Sequence, residues 1–337
     1  MIQHARISYF IIAASLALVV WLHLGTLLLT SLFGYFALCM FSFRHRKLWS
    51  MTIYIFVITT IGIGLVYFSR QAYTAMPKIA DTTIPAVVEF AERHGAGELP
   101  FTDYESLKAV AVEQAKEDLA GIGRYLRAGT FEVVMLVVGL VVAGSIFLNP
   151  SWDTEQNRGV EQNNLYTAVA QELAVRFRTF YESFKMMIGA QLVISIINTG
   201  FTGVFLMANS YPFAIVLISL TFLCGLLPII GNLISNTLIV GVGFTVSPKT
   251  AFFALIFLVV IHKLEYFLNS KIIGNRIKNP MWLTLIGIVL GEKMMGIPGM
   301  ILAPVVLHYI KVETSQSKSV GIVSPDEAAT PGMRKIL

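Results

Sequence analysis

Apolar runs of about the length that crosses a bilayer recur along most of this chain, and they limit what it can fold into. A transmembrane helix needs about 20 consecutive apolar residues, and runs of this kind occupy 48–68, 131–148 and 186–207. Because 55% of the residues are hydrophobic and only 13% are charged, a soluble fold would leave too much apolar surface in water. The sequence therefore predicts an all-α, polytopic helical membrane protein.

The charges indicate how such a protein lies in its membrane. The net charge of +5 would be compatible with nucleic acid. Basic residues of membrane proteins, however, gather in cytoplasmic loops and near anionic headgroups, so the expected partner is the lipid bilayer and not nucleic acid. The cluster from Arg44 to Lys47 is the clearest orientation signal, and it places both termini in the cytoplasm. Cys39 and Cys224 stand alone in apolar runs, which gives no metal-binding pattern.

Changes in polarity along the chain predict its organisation. Apolar residues at helical spacing between Leu165 and Phe184, with basic residues among them, indicate an amphipathic helix on the membrane surface, although a protein-docking helix would show the same pattern. The predicted segments are three N-terminal membrane helices (1–69), a helical extramembrane segment, expected outside the cell (70–128), one span (129–149), the cytoplasmic amphipathic helix (150–185), a C-terminal membrane core with broken helices (186–311) and a disordered cytoplasmic tail (312–337).

Helix contacts are predicted for one span of this series. Gly139 and Ala143 have the small-xxx-small spacing that lets two membrane helices approach closely. Glu132, at the start of the same span, is an acid that could bind a proton or a cation, but an interfacial position favours a structural role.

Proline and glycine interrupt two apolar stretches of the C-terminal core. Pro228 lacks a backbone N–H and Gly231 lets the chain turn, so two shorter helices are expected to meet there. The second stretch, 281–310, contains Gly296, Pro298 and Gly299. Backbone that is broken at membrane depth is tolerated only where it is buried in protein or lines a water-filled cavity. Transporters place binding sites at such breaks.

A purely structural alternative exists for the second stretch. It could be a hairpin of two short helices that turns at 291–293 and is packed by its glycines, with no further role.

Polar side chains near the breaks are the candidate groups for binding and gating. Asn232 and Asn236 would offer hydrogen bonds to a solute, or they could equally hold helices together. Glu265 would be a titratable gate or coupling acid, paired with Lys263, and an interfacial ion pair is an equal alternative. The full predicted path consists of Pro228, Gly231, Asn232, Asn236, Lys263, Glu265, Gly296, Pro298 and Gly299.

Several kinds of chemistry find no support in the sequence. It contains no GxxxxGK[ST] phosphate loop and no HExxH zinc motif. No aspartate lies within a predicted span, which excludes an intramembrane aspartyl protease. We therefore expect no enzymatic activity, no cofactor and no metal. Transport is the class that broken helices and a few buried charges favour.

Three groups of residues follow one another in the C-terminal core: Pro228 with Gly231, then Glu265, Ile272, Ile273 and Gly274, and the closing series Gly296, Ile297, Pro298, Gly299, Ala303 and Pro304. In these residues and in the order of its segments the chain resembles the autoinducer-2 exporter (AI-2E) family of bacterial membrane permeases over nearly its whole length. It departs from the family's usual pattern at three positions where members often carry proline, namely Asn232, Asn236 and Ser270.

The resemblance implies about eight membrane helices in a bacterial inner membrane, cytoplasmic termini and a homo-oligomer. It also implies export, without ATP hydrolysis, of a small polar solute such as the signalling molecule autoinducer-2. The alternative within the family is exchange of Na⁺ or Li⁺ for protons. A scaffold that recruits partners through its extramembrane segment is a further alternative.

Overall fold

The computed structural model describes residues 3–42, 47–94, 122–149, 165–228, 230–273 and 280–316. Within these ranges every regular element is helical, and six helices are long and apolar enough to cross a membrane, as predicted for a polytopic membrane protein. The helices are α1 (Gln3–Trp21), α2 (Gly25–Met40), α3 (Lys47–Arg93), α4 (Ile122–Leu148), α5 (Leu165–Ala208), α6 (Ala214–Gly225), α7 (Ile230–Val246), α8 (Pro248–Ile273) and α9 (Met281–Gln316).

Some sequence-based predictions fall outside the described ranges. They concern Arg44 to Arg46 of the basic cluster, most of the C-terminal tail and the middle of the predicted extramembrane segment.

The bundle has two ends, which we define by their contacts. At the first end, the termini face, the start of α1 meets the end of α9, where the Tyr9 hydroxyl donates to Glu313 Oε1 at 2.9 Å. At the other end, the turn face, the α1–α2 turn lies beside the middle of α9. A Cβ atom built on Gly25 would lie 3.1 Å from Met295 Cβ.

Helix α9 is a hairpin rather than one straight helix. At Gly296 the backbone φ is 63° and ψ is −142°, a conformation open to glycine and costly for other residues. The two arms, 281–295 and 297–316, then run back along each other. They approach so closely at Gly291 and Gly299 that a Cβ on either would collide with the carbonyl of the other. The turn expected at 291–293 is therefore wrong in position, because those residues lie in the arm and the chain reverses at Gly296.

Helices α6 and α7 form a second hairpin. They contain only 12 and 17 residues, and the chain between them includes Pro228, as the sequence predicts. This hairpin begins and ends at the turn face, where the Tyr211 hydroxyl and Ala251 border Gly243 near the end of α7.

Helix α3 continues well past its predicted span. It runs for 47 residues to Arg93, so the first part of the segment predicted as extramembrane, 70–128, is an extension of the third helix. Ala75 and Ile79 of this extension are buried in one cluster with Leu206 and Ile239, which attaches it to α5 and α7.

Helix α5 also differs from its prediction. No break separates the expected surface helix, Leu165 to Phe184, from the fifth span, and the two form one helix of 44 residues. Arg176 and Phe184 are buried although they lie in the segment assigned to the membrane surface. Their burial follows from the packing of this half of α5 against α1 and α9.

The small residues of α4 pack as predicted. A Cβ on Gly139 would collide with Thr30 of α2, and Ala143 Cβ would lie 2.7 Å from a Cβ built on Gly34. Glu132 accepts a hydrogen bond from the Thr26 hydroxyl in the first turn of α2. A carboxylate there complements the positive end of the helix dipole, which gives Glu132 a structural role.

A buried ion cluster holds the termini face together. The Arg176 side chain is 6% exposed and pairs with Glu172 one turn earlier, while its Nε lies 3.6 Å from Glu313 Oε1. The guanidinium also stacks over the Tyr9 ring, at 4.1 Å from the ring centroid. Three helices, α1, α5 and α9, thus meet at one cation.

The substitution Arg176→Met tests this cluster. It removes the cation between two carboxylates and should lower the unfolding free energy by about 3–5 kcal/mol, as is typical when one partner of a buried ion pair is lost. Thermal unfolding in detergent measures the effect. The matched control is Lys185→Met on the same helix, because Lys185 and Glu182 form an exposed pair and should contribute less than about 1 kcal/mol. Equal midpoint shifts in the two variants would contradict the assignment.

Candidate transport site at the broken helices

The break between α6 and α7 leaves helix-end carbonyls without partners in their own helix, and α5 supplies donors for them. Gln191 Nε2 donates to the Gly225 carbonyl at 2.5 Å, and Ser195 Oγ donates to the Phe222 carbonyl at 3.0 Å. An unsatisfied carbonyl in an apolar environment would cost several kcal/mol. These two side chains therefore make the break tolerable at membrane depth.

Glycine permits the close approach of the two arms at this break. A Cβ on Gly231 would collide with the Cys224 carbonyl, and a Cβ on Gly225 would lie 2.5 Å from Ser195 Oγ. The sequence indicates that the chain can turn at Gly231, but it does not indicate that Gly231 packs against Cys224. Gln191 and Ser195 were missed as functional residues, although a carboxamide and a hydroxyl one turn apart in an apolar span were a usable signal.

Asn232 and Glu265 meet beside the break. Asn232 Nδ2 donates to Glu265 Oε2 at 2.6 Å, which joins the start of α7 to α8. The Glu265 side chain is only 15% exposed, and His262 Nδ1 lies 4.0 Å from the same oxygen. Asn232 Oδ1 is buried and has no hydrogen-bond partner among the described residues. A carboxylate and an amide oxygen thus stand together, able to accept hydrogen bonds or to bind a cation.

Lys263 and Asn236 were also predicted near this break, and they lie outside the Asn232–Glu265 pair. Lys263 is exposed, and residues two apart on a helix do not face each other, so Glu265 is partnered by Asn232 and His262 rather than by Lys263. Asn236 lies one turn beyond Asn232 on the same face of α7 and is half-buried.

The remaining predicted residues lie in a different part of the fold. Gly296, Pro298 and Gly299 lie at the tip of the α9 hairpin on the turn face, where Pro298 Cβ would lie 3.2 Å from a Cβ on Gly25. Glu265 instead lies about 25 Å from Pro248, the residue at which α8 begins on the turn face. The two hairpin tips therefore approach from opposite faces. Leu227 of the first tip and Met295 of the second pack against one shared apolar cluster.

Glu265 is more buried than two other acids of the helices, Glu132 and Glu292. Glu132 is exposed and bonded to α2, and the Glu292 side chain is 46% exposed beside Lys293. Among the described residues, no group of three or more His, Cys, Asp or Glu is arranged to hold a metal ion.

Two hairpins broken by Pro and Gly, with a largely buried carboxylate of α8 beside the tip of one of them, are features that membrane transporters show at their binding sites. The family model described as "AI-2E family transporter" matches residues 5–317, so the chain belongs to that family. "Putative transport protein YdbI" of Bacillus subtilis (strain 168) is 26% identical over 157 residues. That match covers 45% of this chain and 45% of the relative, so it spans less than half of either protein. No solved structure matches the chain.

The substitution Gly231→Ala tests the close approach at the break. The added methyl group would collide with the Cys224 carbonyl, so the hairpin must open, at a cost of about 1–3 kcal/mol of unfolding free energy. Thermal unfolding in detergent measures the loss. The control is Gly64→Ala, since a Cβ on Gly64 has nothing within 4 Å. A Gly231→Ala protein as stable as the Gly64→Ala protein would show that the arms are not packed at this point.

Proposed function

We propose that this protein is a secondary transporter that exports a small polar solute across the bacterial inner membrane without hydrolysing ATP. The observation that carries the proposal is the Asn232–Glu265 pair at the broken tip of the α6–α7 hairpin. It offers a buried amide oxygen, which has no hydrogen-bond partner in the described part of the chain, next to a largely buried carboxylate. Polar groups of this kind are expensive within a membrane and mark binding sites there.

The proposed orientation places the termini face in the cytoplasm. Lys47 at the start of α3 belongs to the basic cluster of the sequence, and Lys311 lies near the end of α9. Under the positive-inside rule, both belong on the cytoplasmic side. In this orientation the Asn232–Glu265 pair lies near the cytoplasmic end of the path, where an exported solute would enter.

The two hairpins suggest how the solute passes. A solute hydroxyl at the first tip would bond Asn232 Oδ1 or the Glu265 carboxylate. Pro228 and the glycines beside it set the conformation of that tip. The α9 tip, with Gly296, Pro298 and Gly299, would form the gate at the opposite face. Because the two tips pack on one apolar cluster, a displacement of one affects the packing of the other.

The proposed solute is a small hydroxyl-bearing molecule of the autoinducer-2 type. The two oxygens at the site are hydrogen-bond acceptors, and they match a ligand that carries several donors. We also propose that the transporter works as a homo-oligomer, since large apolar side chains such as Phe56 and Ile63 are exposed on the outside of the bundle. Lipid contacts account for part of that surface.

One observation favours a second candidate, exchange of Na⁺ or Li⁺ for protons. A carboxylate and an amide oxygen are the ligand types that hard cations prefer. Glu265 could carry the exchanged proton, because a buried carboxylate exchanges protons and cations at the same oxygens. The transport experiment below distinguishes the two candidates.

The substitution Glu265→Gln tests the site. It keeps the shape of the side chain and removes its charge, so a charge-assisted hydrogen bond to the solute is lost and flux should fall about tenfold or more. The assay follows a panel of small polar solutes in sealed liposomes that contain the purified protein, with and without an imposed pH or Na⁺ gradient. The control is Glu292→Gln, which should keep the flux of the unsubstituted protein.

The gradients decide between the candidates. Solute flux that follows only the solute's own gradient indicates a permease. Cation flux that requires a pH gradient and disappears in Glu265→Gln indicates an antiporter. Unchanged flux and unchanged pH dependence in Glu265→Gln, at normal expression, would remove Glu265 from the mechanism.

A further inference from the structure

Two threonines of α5 behave differently from most hydroxyl side chains in this protein. Thr30, Ser183 and Thr221 each donate to the carbonyl one turn earlier in their own helix, the usual arrangement in apolar surroundings. Thr199 and Thr202 do not, and their Oγ1 atoms are buried without a hydrogen-bond partner among the described residues. A buried hydroxyl that is turned away from its own helix carries a free-energy cost unless something else bonds it.

These threonines belong to a longer row. Gln191, Ser195, Thr199 and Thr202 follow one another at intervals of three or four residues, which places all four on one face of the helix. We call this row the α5 polar stripe, and it is about 16 Å long. Ser195 and Thr202 are each 1% exposed, so the stripe faces the interior of the bundle. Outside the stripe, α5 carries Ile196 beside it and Val204 on the opposite face, which are 59% and 69% exposed.

The stripe begins at the proposed site and leads away from it. Its first two members bond the carbonyls at the α6 end of the break. Beyond Thr202 the helix reaches the turn face, where Leu206 shares a cluster with Tyr211. The Tyr211 hydroxyl is again a buried polar group without a partner among the described residues. Hydrogen-bonding groups therefore continue from the break towards the opposite face.

We propose that the α5 polar stripe lines the passage from the α6–α7 break to the turn face and that it carries an uncharged, hydroxyl-bearing solute. The stripe consists of hydroxyl and carboxamide groups only, and these exchange hydrogen bonds with a neutral solute one after another. A bare ion would find no opposite charge along it, which is costly inside a membrane. The inference rests on the proposed transport function and specifies its route and the class of its solute.

Thiol labelling tests the route without measuring transport. In full-length protein with Cys39→Ser and Cys224→Ala, single substitutions Thr199→Cys and Thr202→Cys are compared with the lipid-facing controls Ile196→Cys and Val204→Cys. Each protein, reconstituted in liposomes, is treated with a small water-soluble methanethiosulfonate reagent, and the modified fraction is followed by mass spectrometry. We expect the two stripe positions to react at least about tenfold faster than the two controls, because the reagent enters only where water does.

A result in which the stripe positions react as slowly as the controls would overturn the proposal. The threonine hydroxyls would then bond their own helix in a dry interface. Reactive stripe positions in a protein that moves no solute of the panel would support a hydrated passage while the proposed transport function fails. The two failures are therefore distinguishable.

A flux measurement completes the test. Valine has nearly the shape of threonine but no hydroxyl, so the double substitution Thr199→Val with Thr202→Val keeps the packing and removes two hydrogen bonds. We expect the flux of a neutral polyol probe to fall about tenfold. The same change at Thr52 and Thr60 of α3, which bond their own helix on an exposed face, should leave it unchanged. Equal flux in both double variants, at equal amounts of folded protein, would contradict the proposed contacts between stripe and solute.

Discussion

The whole arrangement depends on one constraint, that a backbone carbonyl or amide in hydrocarbon must find a partner within the protein. An uninterrupted helix satisfies it along its length, because each carbonyl accepts from an amide one turn later, whereas a helix broken at membrane depth does not. This protein breaks two of its apolar segments and meets the constraint by different means. At the first break, Gln191 and Ser195 on a neighbouring helix donate to the freed carbonyls. At the second, the chain reverses at Gly296, and the tip lies at the turn face, an end of the bundle.

The break between α6 and α7 also creates the polar site. Once α6 ends early, the first turn of α7 lies inside the bundle rather than at its surface, and Asn232 is brought against Glu265 of α8. The hydrogen bond from the Asn232 amide to the Glu265 carboxylate lowers the cost of burying both groups. The Asn232 amide oxygen has no hydrogen-bond partner among the described residues, and it is the group that we propose bonds the solute. Structural necessity and proposed function thus arise from one break, and the buried Arg176 cluster keeps the helices around it in place at the termini face.

Features that depend on local sequence were predictable, and features that depend on long-range pairing were not. The break at Pro228 and the close packing of Gly139 and Ala143 follow from residue types and spacing alone. The position of the α9 turn was missed because Gly291 and Gly296 look alike in sequence, and only the crossing of the arms shows which one adopts a positive φ. Arg176 lies in a segment predicted to rest on the membrane surface, and its burial is not predictable from that segment because its partners, Tyr9 and Glu313, lie far away in the chain. The same holds for Gln191 and Ser195. The carbonyls that they bond are free to accept only because α6 ends at this point.

The claim that the hairpin tips act as gates is tested most directly by locking one of them. A Cβ on Gly25 would lie 3.1 Å from Met295 Cβ, close to the separation of about 3.5–4.5 Å that a disulfide requires. The double substitution Gly25→Cys with Met295→Cys, in protein lacking Cys39 and Cys224, joins the α9 tip to the α1–α2 turn when oxidised. The measurement is solute flux in liposomes before oxidation, after it and after reduction. The account predicts that flux is lost on oxidation and returns on reduction, and full flux through completely cross-linked protein would contradict it.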